Sequence, residues 1–408
     1  MKTRSPWVRH FKLFAVLCVA LLGQGLFIHP AHAQILSDKD KRFSVISRGP
    51  GLLDIFIVNG PTNEIWMKSW TGSIWTNWRN LGRAANGDPL YNVYAVASGN
   101  NRWDIFSTSG GGGTLGPVWH KSFDGTVEYG WESRGSVGEA FPGGIQAVST
   151  GNGQINLFTR YTGSGGRAPV LTKRRNANGS WVPCSTCAWT VIDTNSAEER
   201  YNFSALAHSG NRLDLFKSSE SDNNIFQKSF NGTYWTLGPW FYMYGQSRST
   251  PYPVSWGTNR IDVFVRGVND RNVYINNSDD AGVHWNGWGF LGRGATNNTT
   301  DVAGISAVAW GPNRLDLFTR EATTLYYKAW TGSYWWPSQT TWENLGFMAS
   351  YVTGHPPLPV SWGPSRIDLF YYHDTPNGAP NTQTLYHKWT NGNGWGPSQT
   401  EWESLGPY

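Results

Sequence analysis

Trp256, Trp310 and Trp362 each precede an arginine by four residues. Those arginines, Arg260, Arg314 and Arg366, each precede an aspartate by two. Glu343 and Glu403 directly follow a tryptophan, as Glu132 does. A flat indole, a forked guanidinium and a carboxylate are the groups that saccharide recognition needs. The C–H face of a sugar covers an indole, and its hydroxyls take charge-assisted hydrogen bonds from Arg and Glu. The first eight of these residues are therefore candidate sugar-binding groups. Arg48, Ser98, Thr150 and Ser209 stand where the three tryptophans stand elsewhere. Such unequal retention suits binding sites that persist in some copies and lapse in others; it equally suits drift at surface positions.

The rival chemistry is glycoside hydrolysis, which uses two carboxylates in separate roles. Glu64, Asp193, Glu220 and Glu321 break the repeat pattern, but nothing in the sequence pairs any two. Ser278-x-Asp280-x-Gly282-x-His284-Trp285 approximates an Asp-box, a turn element rather than a catalytic one. The arginines recur once per repeat instead of gathering at one place, unlike a sialidase cluster. A protein-interaction platform is the third class, and low charge with abundant Trp fits it less well than sugar binding.

The elements that position these groups follow from a repeat. Asp54-Ile55-Phe56 recurs as Asp104-Ile105-Phe106, Asn156-Leu157-Phe158, Asp214-Leu215-Phe216, Asp262-Val263-Phe264, Asp316-Leu317-Phe318 and Asp368-Leu369-Phe370, at intervals of 48 to 58 residues. A period near fifty predicts an all-β fold, a seven-bladed β-propeller with four antiparallel strands per blade. The repeats run at about 43–92, 93–144, 145–202, 203–250, 251–304, 305–356 and 357–408. A glycine ends the first strand of every repeat, at Gly49, Gly99, Gly151, Gly210, Gly257, Gly311 and Gly363, and is read as the φ > 0 residue of a tight turn. A tryptophan opens each fourth strand, at Trp78, Trp131, Trp189, Trp240, Trp288, Trp342 and Trp402, and reads as blade core.

The recurring aspartates need a buried partner. Lys68, Lys121, Lys173, Lys228, Lys328 and Lys388 on the third strand offer one, with Asn276 in repeat five. Asp316 and Lys328 are twelve apart, and Asp54 and Lys68 fourteen. Such separations predict structural cross-strand pairs between the Asp series (54, 104, 214, 262, 316, 368) and the Lys series, with a bulge or longer irregular loop required in repeats two and three, where the separation is seventeen.

Composition narrows the setting. Residues 1–33 read as a secretory signal peptide: Lys2, Arg4, Arg9 and Lys12, an apolar run, then Ala31-His32-Ala33 as the cleavage site. The expected localisation is secreted or periplasmic, with 34–42 a short N-terminal segment and no membrane insertion. The leader holds four of the 33 Lys+Arg and none of the 28 Asp+Glu, so the remainder is close to neutral. Nothing in that balance favours nucleic acid. Cys184 and Cys187 are expected to form a local disulfide in that compartment. A zinc site would need two more ligands, and no second Cys pair exists, so no metal is expected.

The strings V-S-W-G-P-S-R-I-D-L-F at 360–370, L-Y-H-K-W at 385–389 and W-G-P-S-Q-T-E-W-E-S-L-G at 395–406 resemble the bacterial lectins typified by the Photorhabdus seven-bladed propeller lectin. Weaker copies extend the likeness over 43–408. The resemblance implies monosaccharide binding, notably of fucose and O-methylated sugars, in pockets between adjacent blades. It implies glycan partners, no cofactor and often a homo-oligomer. The chain departs from the pattern at Gln154 and Asn156, at Asn276 and Gly289, and at Arg48 and Leu52. Clefts bordered by repeats six and seven therefore rank first.

Overall fold

The computed structural model describes residues 42–109, 116–137, 145–160, 169–193, 203–219, 221–247, 249–294, 302–348, 357–373 and 384–407. The leader and 34–41 lie outside them. The described strands form seven antiparallel sheets, each built from consecutive strands in simple meander order, which is the seven-bladed propeller. Blade seven is representative: Leu358–Gly363, Arg366–His373, Thr384–Thr390 and Glu403–Pro407 run from innermost to outermost. In blades three, six and seven a two-residue strand, Trp181–Val182, Trp335–Trp336 or Trp395–Gly396, adds a further pairing to the third strand.

Alternation along the second strand assigns its two faces. Arg, Asp and Phe of the motif point one way and the aliphatic residues the other. All seven motif phenylalanines are fully buried. They are not buried within their own sheet. Seven apolar clusters exist, and each spans two neighbouring blades. The Phe face of one blade lies on the aliphatic face of the next. The last seam closes the ring: Leu358, Phe370, Tyr372 and Leu385 of blade seven pack against Phe43, Leu53, Ile55 and Ile57 of blade one.

A tryptophan from the loop between third and fourth strands wedges most seams. Trp75, Trp181, Trp235, Trp285 and Trp395 stand edge-on to the motif Phe of the preceding blade, with ring centroids 5.8 to 6.3 Å apart. In the seam between blades five and six, Trp335 shares a cluster with Phe264. Between blades one and two, Trp103 meets Phe56 at 5.4 Å instead.

The expected Asp–Lys pairs are absent, and strand register is the reason. Asp316 lies opposite Ala329 and Asp54 opposite Ser69, whereas Lys328 lies opposite Leu317 and Lys68 opposite Ile55. Every lysine of the series, and Asn276, stands opposite the aliphatic residue of its motif, so it points to the other face. An even separation gives a shared face only when the hairpin register has the matching parity. Lys328 Nζ instead donates to the carbonyls of Gln339 at 3.3 Å and Thr341 at 2.7 Å, and also to Ser338 in the loop before the outer strand. It sits 5.3 Å from the ring of Trp342. Lys388 repeats this with Ser398 and Glu401, 5.6 Å from Trp402. Lys173 donates to Arg134 and Cys187 carbonyls. Burial pushes all three ammonium groups down to about 8. In blade five Asn276 reverses the polarity, its side-chain oxygen accepting from the Gly287 amide at 2.9 Å.

Removing the Lys328 head group strands three carbonyls. Lys328→Met should therefore lower stability by about 2–4 kcal/mol in chemical denaturation. Because Asp316 and Lys328 share no partner, a double-mutant cycle with Asp316→Asn should show coupling below about 0.5 kcal/mol. Coupling of several times that size would restore the pairing.

Candidate functional site

The turn into each second strand sets the arginine. Its left-handed residue is not the glycine that ends the first strand in most blades. It is the residue just before the second strand: Asn101 (φ 53°), Asn259 (63°), Asn313 (59°) and Ser365 (59°). Asparagine tolerates this conformation best among residues with a side chain. The arginine then opens the strand on the face that carries the aspartate.

Every motif aspartate is buried, and each blade satisfies it differently. In blade seven Arg366 Nε and Nη2 grip Asp368 at 2.8 and 2.5 Å. In blade five Arg260 grips Asp262 at 3.0 and 2.6 Å. Each guanidinium lies over the tryptophan four residues earlier, Trp362 at 5.2 Å and Trp256 at 5.1 Å. In blade one Arg48 and Ser69 serve Asp54. Blade six departs from this. Arg314 turns its Nη1 to the Asn313 carbonyl, and Asp316 accepts from Trp310 Nε1 at 2.7 Å and Tyr327 Oη at 2.5 Å. Without a cation in contact, burial raises the Asp316 carboxyl to about 6.

The third-strand residue before the lysine completes the arrangement, and the sequence reading missed it. It lies opposite the motif Phe, on the same face as the aspartate. His120, Gln227, Tyr327 and His387 there reach the aspartates at 2.5 to 2.8 Å. The outer-strand neighbours of His120, Tyr327 and His387 are Glu132, Glu343 and Glu403. Blades two, six and seven therefore carry a row of Asp, His or Tyr, and Glu across one face. The signal available in sequence was co-occurrence: a polar ring before the lysine appears in the same three repeats as the glutamate.

Neighbours give the two histidines different chemistry. His387 places Nε2 2.8 Å from Asp368 and Nδ1 3.0 Å from Glu403, so both ring nitrogens face carboxylates. His120 places Nε2 2.7 Å from Asp104, but its Nδ1 faces Arg134 Nη2 at 2.7 Å and must accept. Burial, reinforced by Arg134 and Arg175, depresses its pKa and keeps it neutral.

The structure brings Trp362, Arg366 and Glu403 together in blade seven. Trp389 stacks on His387 at 5.1 Å, and Trp75 of blade one stands edge-on to it at 5.5 Å. The Glu403 side chain remains 39% exposed at the rim, where a ligand can reach it. Trp310, Arg314 and Glu343 share blade six, where Gln399 of blade seven donates to Glu343 at 2.6 Å. In blade five Trp256 and Arg260 have no glutamate, and Ile275 occupies the relay position. The outer-strand tryptophans are buried at Trp189, Trp240 and Trp342 and half-buried at Trp78, Trp131, Trp288 and Trp402. Cys184 and Cys187 are joined in a disulfide.

Among the described residues, the repeat-breaking carboxylates do not converge. Glu321 is buried between Arg266 and Arg293, each at 3.1 Å. Glu64 is half-buried, accepting from Asn80 at 3.0 Å with Arg83 3.8 Å away. Asp193 ends an outer strand in blade three, and Glu220 lies outside the described residues. The Asp-box segment is a turn, with the Gly282 and His284 amides donating to Ser278 Oγ and Asp280.

No protein-family model matches the chain, and the search of curated proteins found no match. Solved propellers resemble it in fold. A polysaccharide lyase of family PL25, an ulvan lyase, is 11% identical with a TM-score of 0.52, over 89% of this chain and 95% of that one. The fucose-specific lectin from Aleuria aurantia is 14% identical with a TM-score of 0.46, over 93% and 97%. At these identities the likeness speaks for the fold alone.

Asp316 supplies a pH test. Its folded pKa lies above the unfolded value, so the folded chain binds the extra proton between about pH 4 and 6. Its contribution to stability is full below that window and lost as pH rises through it. Relative to Asp316→Asn, the native chain should lose about 3 kcal/mol between pH 4 and 7 in urea denaturation. A constant difference would show that Asp316 titrates normally.

Proposed function

We propose that this chain is a secreted, multivalent, non-catalytic lectin that binds fucose, O-methylated or related monosaccharides of glycans in clefts between blades. One observation carries the reading: the blade-seven cluster, where Arg366, gripped by Asp368, lies 5.2 Å from the Trp362 ring centroid while Glu403 stays exposed beside His387. The Asp368 grip spares the guanidinium the entropy of ordering on binding, which favours a weakly interacting, hydroxyl-rich ligand. Trp362, Trp389 and Trp75 supply apolar faces around the same polar row. Blade six offers a second cluster with Trp310, Arg314 and Glu343, and blade five a reduced one with Trp256 and Arg260.

Sites of this size and polarity bind singly at about millimolar to micromolar Kd, roughly −4 to −8 kcal/mol. Several on one ring give avidity on a glycan-coated surface. A glycan array on the full chain should retain fucosylated or O-methylated glycans. Glu403→Gln should weaken monosaccharide binding by at least about tenfold, with unchanged thermal stability. An empty array together with turnover of a chromogenic glycoside would replace this reading with the glycosidase one.

A further inference from the structure

The seam between blades six and seven opens into a cleft of about 930 Å³, within the range of small-molecule sites. None of the eight residues selected from sequence lines it. Most of its aromatic wall belongs to blade seven, with Phe347 added by blade six. Tyr371 and Tyr386 stack at 4.9 Å, and Trp402 stands edge-on to Tyr371 at 4.6 Å. Tyr371 and Trp402 alternate with Phe370 and Glu403, so this wall is the face of blade seven turned away from the Arg366–Glu403 row. Thr324 and Asn344 of blade six and Glu401 of blade seven add polar groups.

The same place is latched at four other seams. Trp131, Trp189, Trp288 and Trp342 each donate the indole N–H to a carbonyl of the preceding blade, Leu81, Arg134, Met243 and Leu291, at 2.9 to 3.2 Å. Trp402 is the blade-seven counterpart, and its Nε1 is buried with no hydrogen-bond partner. An unmade buried donor costs about 1–3 kcal/mol.

We infer that this cleft is a saccharide site separate from the Arg366–Glu403 row, and that it takes a neutral pyranose. The indole and tyrosine rings match the C–H face of such a ring. Asn344 and Thr324 pair with further hydroxyls. Among the described lining residues there is no cation, and Glu401 is the one charge, so a uronate or sulfated sugar enters at an electrostatic cost. The inference rests on the saccharide reading only for its ligand class.

The test is indole ¹⁵N–¹H spectroscopy of the full chain, with Trp402→Phe assigning one resonance and Trp362→Phe another. The probes are methyl α-L-fucoside, methyl α-D-mannoside and methyl glucuronide. At least one neutral glycoside should shift the Trp402 signal saturably, and the glucuronide should not. Asn344→Ala and Tyr386→Ala should each weaken that response by at least about tenfold. A Trp402 signal that moves with no neutral glycoside, or moves equally with the glucuronide, overturns the inference. If Trp362 responds while Trp402 is silent, this site alone fails. Silence of both indoles removes the saccharide reading as well.

Discussion

A blade of this protein cannot bury its own core. Each sheet presents an aliphatic face and a Phe face, and the clusters that hide them all straddle two blades. Everything else depends on that constraint. The ring must close, because an open end would leave one apolar face in water. Blade seven therefore packs on blade one through Phe370 and Tyr372 against Phe43, Leu53, Ile55 and Ile57. At five seams a wedge tryptophan stands 5.8 to 6.3 Å from the motif Phe of the preceding blade. Differences between seams then come from individual side chains rather than from the fold.

The buried aspartate shows how much freedom the scaffold leaves. Arg366 and His387 share Asp368, while Asp104 is served by Ser98, His120 and Arg175. Asp214 takes His208, Gln227 and Ser229, and Asp316 has only Tyr327 and Trp310. One buried carboxylate thus meets its hydrogen-bonding requirement in several ways, and each way leaves a different residue at the cleft rim. In blades five and seven the guanidinium that serves the aspartate also lies over an indole. In blade six Arg314 leaves Asp316 to Trp310 and Tyr327.

Lysines do comparable work on the opposite face. Lys328 and Lys388 gather the carbonyls of the loop that leads to the outer strand, beneath Trp342 and Trp402. That loop carries Gln339 and Gln399, which reach the preceding blade at Phe290 and Glu343. The ammonium thus shapes the segment that closes each late seam. At the last of these seams Trp402 lacks the latch that Trp342 makes, and the cleft opens there.

Blade number, strand order and the residues facing a seam were legible in the sequence. The motif spacing counts sheets, and alternation within Asp-x-Phe assigns faces without any contact being known. Trp362, Arg366 and Glu403 also stood out in the sequence, because groups kept in a few repeats contrast with those kept in all. Only the tertiary structure decided what each group touches. Whether Lys328 faces Asp316 turns on the parity of one hairpin register, which separation in sequence does not contain. The part played by His120, Tyr327 and His387 appears only when three strands lie side by side. The free indole of Trp402 appears only when the neighbouring blade is in place, because its missing partner is some fifty residues back along the chain.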